Sequence, residues 1–274
     1  MTTPALPGPF WLVGCGNMAG AMLERWLATG IERDRITVIR PSGAPVGDGV
    51  RVVTDYPEDE VPALVMLGTK PQKIDDVAPL LAPILDEETI LISILAGVEL
   101  ASLRARFPAP RTIVKAMPNT PVRLGKGVTN LFTDSEDARA TALVEGLMAP
   151  LGTVERFDDE ALFQVAGILS GAGPAFLFRF IDALAAGGEA LGLSGEQAAR
   201  LAKAMVEGAA SLAASETETP GELADRVASP GGTTRAGLNV LDEGGAVDAP
   251  PRPTLEAGRR RSLEMAEEAR GAPS

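Results

Sequence analysis

Short, unbroken apolar runs fill the first half of the chain, and helical periodicity fills the second. "FWLVG" (10–14), "ITVI" (36–39), "ALVMLG" (63–68), "TILISI" (89–94) and "TIVKAM" (112–117) carry hydrophobic residues with almost no polar alternation. Strands read this way when both faces of their sheet are covered, because neither side of the pleat meets water. Asn17 to Thr29 has helical spacing and stops at Gly30, and further helical patterns lie between some of the later runs. Strand and helix thus alternate at the pitch of βαβ units, which predicts a mainly parallel sheet. "GVTNLF" (127–132) adds a strand, and Ser135 to Leu151 another helix.

Beyond residue 157 the strand signal ends. Pro174 occupies a first-turn position, and "AFLFRFIDALAAGGEALG" keeps helical spacing to Gly192. Ser194 with Gln197, and Thr219 with Glu222, have capping-box spacing and open two more helices. A fourth begins inside "SPGGTT" and ends at Gly244-Gly245; the tail is irregular at first and helical from about Thr254, with "RRR" (259–261) beside "EMAEE" as a salt-bridged exposed face. The expected organisation is a leader over 1–9, without order, an α/β domain over 10–157 and an all-helical domain over 158–274.

Composition narrows the chemistry. The formal charge of −12 disfavours nucleic acid and acidic membranes as partners, since both are bound by dense Lys and Arg. The longest apolar run, Ile90 to Val98, is too short to span a bilayer, and "MTTPALPGP" lacks a signal-peptide pattern, so the cytoplasm is the expected location. A single cysteine, Cys15, leaves no internal disulfide or cysteine-cluster metal site, and no metal is expected. The chain has no histidine at all, which removes Ser-His hydrolases, His-dependent dehydrogenases and His-rich zinc sites together. Its one tyrosine, Tyr56, has no lysine four residues later. Any catalysis here needs little acid–base help from side chains.

"GCGNMA" (14–19) is Gly-x-Gly-x-x-Ala set between the first strand and the first helix. Gly14 permits the turn, Gly16 lets backbone approach a pyrophosphate, and Ala19 allows close helix–strand packing; Cys15, Asn17 and Met18 complete the loop. A glycine turn without a ligand is the alternative. The placement favours a Rossmann-type dinucleotide-binding domain. After the second strand stand Arg40 and Ser42 rather than an acidic residue, which suits a 2′-phosphate and makes NADPH the preferred cofactor, with NADH tolerated; a solvated loop arginine is the alternative.

Six stretches in order, "GCGNMAGAM", "TKPQ" (69–72), "SILAGV" (93–98), "MPNTP" (117–121) followed by "GKGVT", "SGAGPAFLF" (170–178) and "SPGGTTRAGL" (229–238), resemble the pyrroline-5-carboxylate reductases from about residue 10 to 245. The resemblance implies reduction of a five-membered cyclic imino acid to proline. It places Thr69, Lys70 and Pro71, with Leu95 and Ala96, on the nicotinamide side of the cofactor cleft, and Met117, Pro118 and Asn119 at its floor. It implies an intertwined homodimer in which loop 229–234 of one chain completes the site of the other, and it leaves room for assembly of dimers. Glu160 matches a family position near the substrate. Lys115, Ala172 and Phe176 depart from the family's usual Arg, Ser and Tyr.

"SPGGTT" then takes on chemistry. A helix starting there offers backbone N–H groups of Gly232, Thr233 and Thr234 to a carboxylate, and Gly231 and Gly232 let it approach closely. Alone, the segment reads equally as a Pro-Gly turn with a Thr-rich cap. The resemblance lets the Thr234 hydroxyl reach the ring nitrogen, making it the candidate catalytic residue. A protonated imine already carries its charge, so hydride delivery leaves a neutral amine and no side-chain acid of histidine type is required. Orientation alone is worth up to roughly 7–11 kcal/mol in well-aligned cases. Two rivals remain: a β-hydroxyacid-type dehydrogenase, whose lysine is missing from "GAGPAFLF", and a non-catalytic nucleotide sensor, which has no need of "SPGGTT".

Overall fold

The computed structural model describes residues 3–47 and 49–271, without the side chains of 268–271. The apolar runs become β1 (Phe10–Val13), β2 (Ile36–Ile39), β4 (Leu64–Leu67), β5 (Ile90–Ser93), β6 (Thr112–Pro118) and β7 (Gly127–Phe132), joined by β3 (Arg51–Val53) and β8 (Gly152–Phe157). Among the described residues they form one sheet in the order β3-β2-β1-β4-β5-β6-β7-β8. The first six are parallel, β7 runs antiparallel to β6, and β8 is parallel to β7. An order of 3-2-1-4-5-6 is that of doubly wound dinucleotide-binding sheets.

Burial on both faces explains the unbroken runs. Phe10 and Leu12 face a core shared with Met22, Leu23 and Trp26 of α1 (Asn17–Ala28) and Val144 and Leu147 of α4 (Ala138–Met148). Trp11 and Val13 face the opposite core, with Ile74 and Leu81 of α2 (Ile74–Leu81), Leu103 of α3 (Leu100–Arg106) and Phe107. The Trp26 indole donates to Leu147 O at 2.7 Å, which satisfies its only polar atom inside the first core.

Two elements escape the sequence pattern. β3 is three residues at the sheet's edge, and β8 carries Glu155 and Arg156 exposed at the other edge. Edge strands keep charge and lose the continuous apolar signature. The described part of the expected leader is ordered: Leu6 is 3% exposed, its N–H donates to Glu32, and its carbonyl accepts from Arg35. One buried leucine and three side-chain bonds, the third from Thr3 Oγ1 to Thr29 O at 3.2 Å, hold this segment down.

The chain divides into two compact units later than residue 157. Residues up to Ala172 together with those from Gly258 onward form one unit, and Gly173–Ala257 the other. The boundary moves because α5 (Glu160–Gly167) packs on β7 and β8, with Phe163 buried. The final residues return to the first unit because Ala266 is buried there and Met265 lies against Gly97. Residues 246–250 form turns, and α10 (Pro251–Gly271) starts at a first-turn proline, slightly before the expected Thr254. Arg261 pairs with Glu264 at 3.0 Å on its exposed face.

The second unit holds α6 (Gly173–Ala190), α7 (Gly195–Ser215), α8 (Pro220–Val227) and α9 (Thr233–Asp242). A π-helical turn at Ile168–Ala172 ends the first stretch of the other unit. Gly188 brings α6 close to the start of α7, where an added Cβ would meet Ala198 at 3.5 Å. No residue of α6 is buried in the single chain, and Phe176, Leu177, Phe178 and Phe180 are all exposed. So many exposed aromatics on one helix call for a covering surface.

Both capping boxes form. The Thr219 N–H and hydroxyl donate to the Glu222 carboxylate and hold it below its usual pKa. A carboxylate depressed in the folded state stabilises the fold above its unfolded pKa and loses that contribution as pH falls through the folded value. The Thr219 amide resonance is therefore expected to titrate with a midpoint below the ordinary glutamate value. A midpoint at or above that value would mean that the box is open in solution.

Candidate functional site

The carboxyl ends of β1 and β4 meet where the strand order reverses, and the glycine loop sits there. Gly14 has φ +83° and donates to Ile39 O at 2.8 Å. A Cβ on Gly14 would stand 2.8 Å from Thr69 Cγ2 and 2.9 Å from Thr69 N, and one on Gly68 would stand 2.9 Å from Ala19 Cβ. The turn is therefore packed backbone to backbone, and the predicted role of Ala19 is visible as that contact. Gly16 is the N-cap of α1, has ordinary backbone angles and meets nothing within 4 Å. Gly16 and Asn17 are exposed, and Cys15 and Met18 are half-buried.

This cradle has the features a pyrophosphate needs: backbone open at Gly16, a helix N-terminus without a side-chain cap, and no intruding Cβ. Thr69 Oγ1, beside Gly14, is buried and has no hydrogen-bond partner. Arg40 follows β2 half-buried, and its guanidinium makes no ion pair among the described residues. Its charge acts on the Cys15 thiol, where burial raises the pKa and Arg40 partly opposes the rise. Ser42 is exposed, its hydroxyl accepting from Ala44 N at 3.3 Å. Lys70 is exposed and Pro71 opens a short 3₁₀ turn.

Next to the cradle is a cavity of about 220 Å³ lined by Met18, residues 93–99, residues 115–118, Phe163, Gln164, Ser262 and Ala266. It gathers Met18, Leu95, Ala96, Met117 and Pro118, which the sequence had singled out separately. Asn119 is 6% exposed and its side chain is committed to protein: Nδ2 donates to Ser170 O at 2.9 Å and Oδ1 accepts from Val128 N at 2.8 Å. It ties the end of β6 to β7. Lys115, Phe163, Gln164, Ser262 and Ala266 were not assigned to the cofactor site by sequence reasoning. Of these only Lys115 stood out in the sequence, where it replaces the family's usual Arg; Ser262 and Ala266 reach the cavity only because α10 folds back.

In the helical unit, Gly231 adopts φ +73° and turns the chain into α9. Gly232 is the N-cap, without a side-chain cap, and Thr233 and Thr234 are exposed. One expectation needs correcting. The Gly232 N–H donates to Ser229 O at 2.9 Å, which closes the turn and takes it out of ligand reach. The Thr233 and Thr234 amides lie in the first turn, where a helix supplies no acceptor. Glu160, at the start of α5, bonds to Lys115 Nζ at 2.6 Å and accepts from Leu100 N at 3.0 Å. Among the described residues, no group of three or more His, Cys, Asp or Glu could hold a metal ion.

Residues 10–97 match the family model described as NADP oxidoreductase coenzyme F420-dependent, and residues 160–265 match that for pyrroline-5-carboxylate reductase dimerisation. The pyrroline-5-carboxylate reductase of Pseudomonas aeruginosa is 35% identical over 98% of this chain and 99% of its own. The chain belongs to the pyrroline-5-carboxylate reductase family. The Synechocystis reductase is 36% identical over 93% of this chain and 97% of its own. Among solved structures, the pyrroline-5-carboxylate reductase of Coxiella burnetii superposes with a TM-score of 0.84 at 29% identity, covering 96% of this chain and 99% of that one. That of Plasmodium falciparum, with NADP bound, shares the fold at a TM-score of 0.82 and 22% identity, covering 96% of this chain and all of that one. As a pyrroline-5-carboxylate reductase, the protein is an NAD(P)H-dependent oxidoreductase of proline synthesis and works as a homodimer.

Proposed function

We propose that this reductase binds NADPH along the Gly14–Ala19 loop and holds the carboxylate of its cyclic imine at the mouth of α9. The observation that carries the reading is the helix start at 231–234: a left-handed glycine, an N-cap without a side chain, and two exposed first-turn threonines. Such a terminus stabilises an anion through free amides and the helix dipole. The amides of Thr233 and Thr234 bind and orient the carboxylate. The Thr234 hydroxyl accepts from, or donates to, the ring nitrogen according to its protonation.

When bound, NADPH supplies the hydride that goes to the imine carbon. Leu95 and Ala96 wall the nicotinamide end with Thr69, Lys70 and Pro71, and Met117 and Pro118 form its floor. Met117 is itself held close, since a Cβ on Gly167 would fall 1.9 Å from its sulfur. The electron pair neutralises a charge already on the substrate, so the chain's task is orientation and exclusion of water. That agrees with a sequence that has no histidine. The experiment is oxidation of NADPH on addition of pyrroline-5-carboxylate, followed by absorbance. Tight NADPH binding without substrate-dependent oxidation would return the protein to the sensor reading.

Arg40 and Ser42 select the 2′-phosphate, and NADH is accepted more weakly. Arg40→Asp is expected to move the ratio of kcat/KM for NADPH over NADH by at least about tenfold towards NADH. An unchanged ratio would mean that Arg40 faces only solvent. Glu160–Ala190 is apolar and long enough to cross a membrane by length and composition. The dimerisation family match begins at this segment, which supports a second copy rather than lipid as the cover of the exposed aromatics of α6. The dimer is intertwined, with loop 229–234 of each protomer completing the other's site, and its dimers are free to assemble further. Neither nucleic acid nor membrane is a partner, and the enzyme works in the cytoplasm.

A further inference from the structure

Lys115 sits within β6 with its side chain 7% exposed. Its ammonium lies 2.6 Å from Glu160 Oε1 and 5.0 Å from the centre of the Phe163 ring. The same Oε1 accepts the N–H of Leu100 at 3.0 Å. One carboxylate oxygen therefore joins a strand of the cavity wall, the first residue of α3 and the first residue of α5. Leu100 directly follows the 93–99 loop that lines the cavity. The other end of that loop is fixed by Ile94 N to Leu67 O at 3.2 Å and Leu95 N to Ser93 Oγ at 3.3 Å. Between the two anchors Gly97 has φ +75°, so this stretch makes a tight turn beside the cavity.

We propose that Lys115 and Glu160 form a positioning pair that sets the nicotinamide-side loop, with Glu160 acting through Leu100 rather than by touching the substrate ring. The partly exposed carboxylate is held inward by the buried ammonium together with the Leu100 N–H. Without that cation its best-solvated position is outward, and the start of α3 loses its anchor. Loop residues 95–99 then sample more positions, and small displacements at a reacting centre carry large rate costs. Phe163 adds to the effect by stacking its ring against the ammonium.

The inference rests on the proposed placement of the nicotinamide at this loop, and its test separates the two ideas. In the full-length enzyme, Lys115→Met is expected to lower kcat/KM for NADPH about tenfold while the KM for pyrroline-5-carboxylate stays within about twofold. Lys115→Arg should restore NADPH kcat/KM to within about threefold of wild type, because the guanidinium supplies the same charge. Hydrogen exchange of the Leu100 amide should quicken at least about tenfold in Lys115→Met. Should that variant fail to fold, Glu160→Gln keeps volume and acceptor and is expected to lower the same constant about threefold.

An unchanged Leu100 exchange rate in folded Lys115→Met would overturn the pairing while leaving the proposed function intact. A freed Leu100 with unchanged NADPH kinetics would instead remove the nicotinamide from this loop, and the inference with it. A Glu160→Gln variant that raises only the substrate KM would show Glu160 touching the ring and would likewise overturn it.

Discussion

Gly16→Val is expected to raise the KM for NADPH about a hundredfold while lowering the thermal midpoint by no more than about 4 °C. Gly16 has φ −82°, which any residue adopts, and a Cβ there meets nothing within 4 Å. The fold itself therefore has no need of a glycine at this position. A branched side chain would nevertheless stand over the amides of Asn17 and Met18, where the proposed pyrophosphate site lies. The neighbouring Gly14→Ala is the contrasting control. Its φ of +83° and the 2.9 Å approach of a Cβ to Thr69 N make it a folding lesion as well as a binding one. Isothermal titration with NADPH and a melting curve on each variant read the two effects apart. A Gly16→Val enzyme that binds NADPH as wild type would mean that the dinucleotide does not cross this loop.

Thr234→Ala is expected to reduce turnover at least about tenfold, equivalent to about 1.4 kcal/mol, with the KM for NADPH nearly unchanged. The substitution removes only a hydroxyl. Thr234 is exposed in the first turn of α9, and the N-cap at Gly232 stays intact, so the helix keeps both its start and its amides. Carboxylate binding should persist, and orientation of the ring nitrogen should suffer. Thr234→Ser, which returns the hydroxyl, should recover most of the rate. Steady-state kinetics with saturating NADPH decide the matter, and unaltered turnover in Thr234→Ala would take this threonine out of the mechanism.

Much of this was readable without coordinates, for identifiable reasons. Five of the six parallel strands were legible because burial on both faces forces near-continuous apolar runs such as "ITVI" and "TIVKAM". The capping boxes at Ser194 and Thr219 were legible because their bonds span only three residues. β3 and β8 were not, because exposure at a sheet edge leaves charges that blur the pattern. The ordering of Leu6 depends on Glu32 and Arg35, distant in sequence, and no local rule announces it. Asn119 carried a functional expectation, yet both ends of its amide are taken by Ser170 and Val128.

The sequence by itself determined a mainly parallel sheet covered on both faces, the glycine turn after its first strand, the capping boxes and a chain that does without histidine. Those properties follow from local periodicity, backbone freedom and side-chain inventory, all of which act over a few residues. Only the tertiary structure decided that Lys115, Glu160 and Leu100 share one carboxylate oxygen, that Gly232 is closed by Ser229, and that α10 returns to wall the cavity. Those are outcomes of chain topology, because desolvation and hydrogen bonding act through distance in space and carry no periodic signature along the chain.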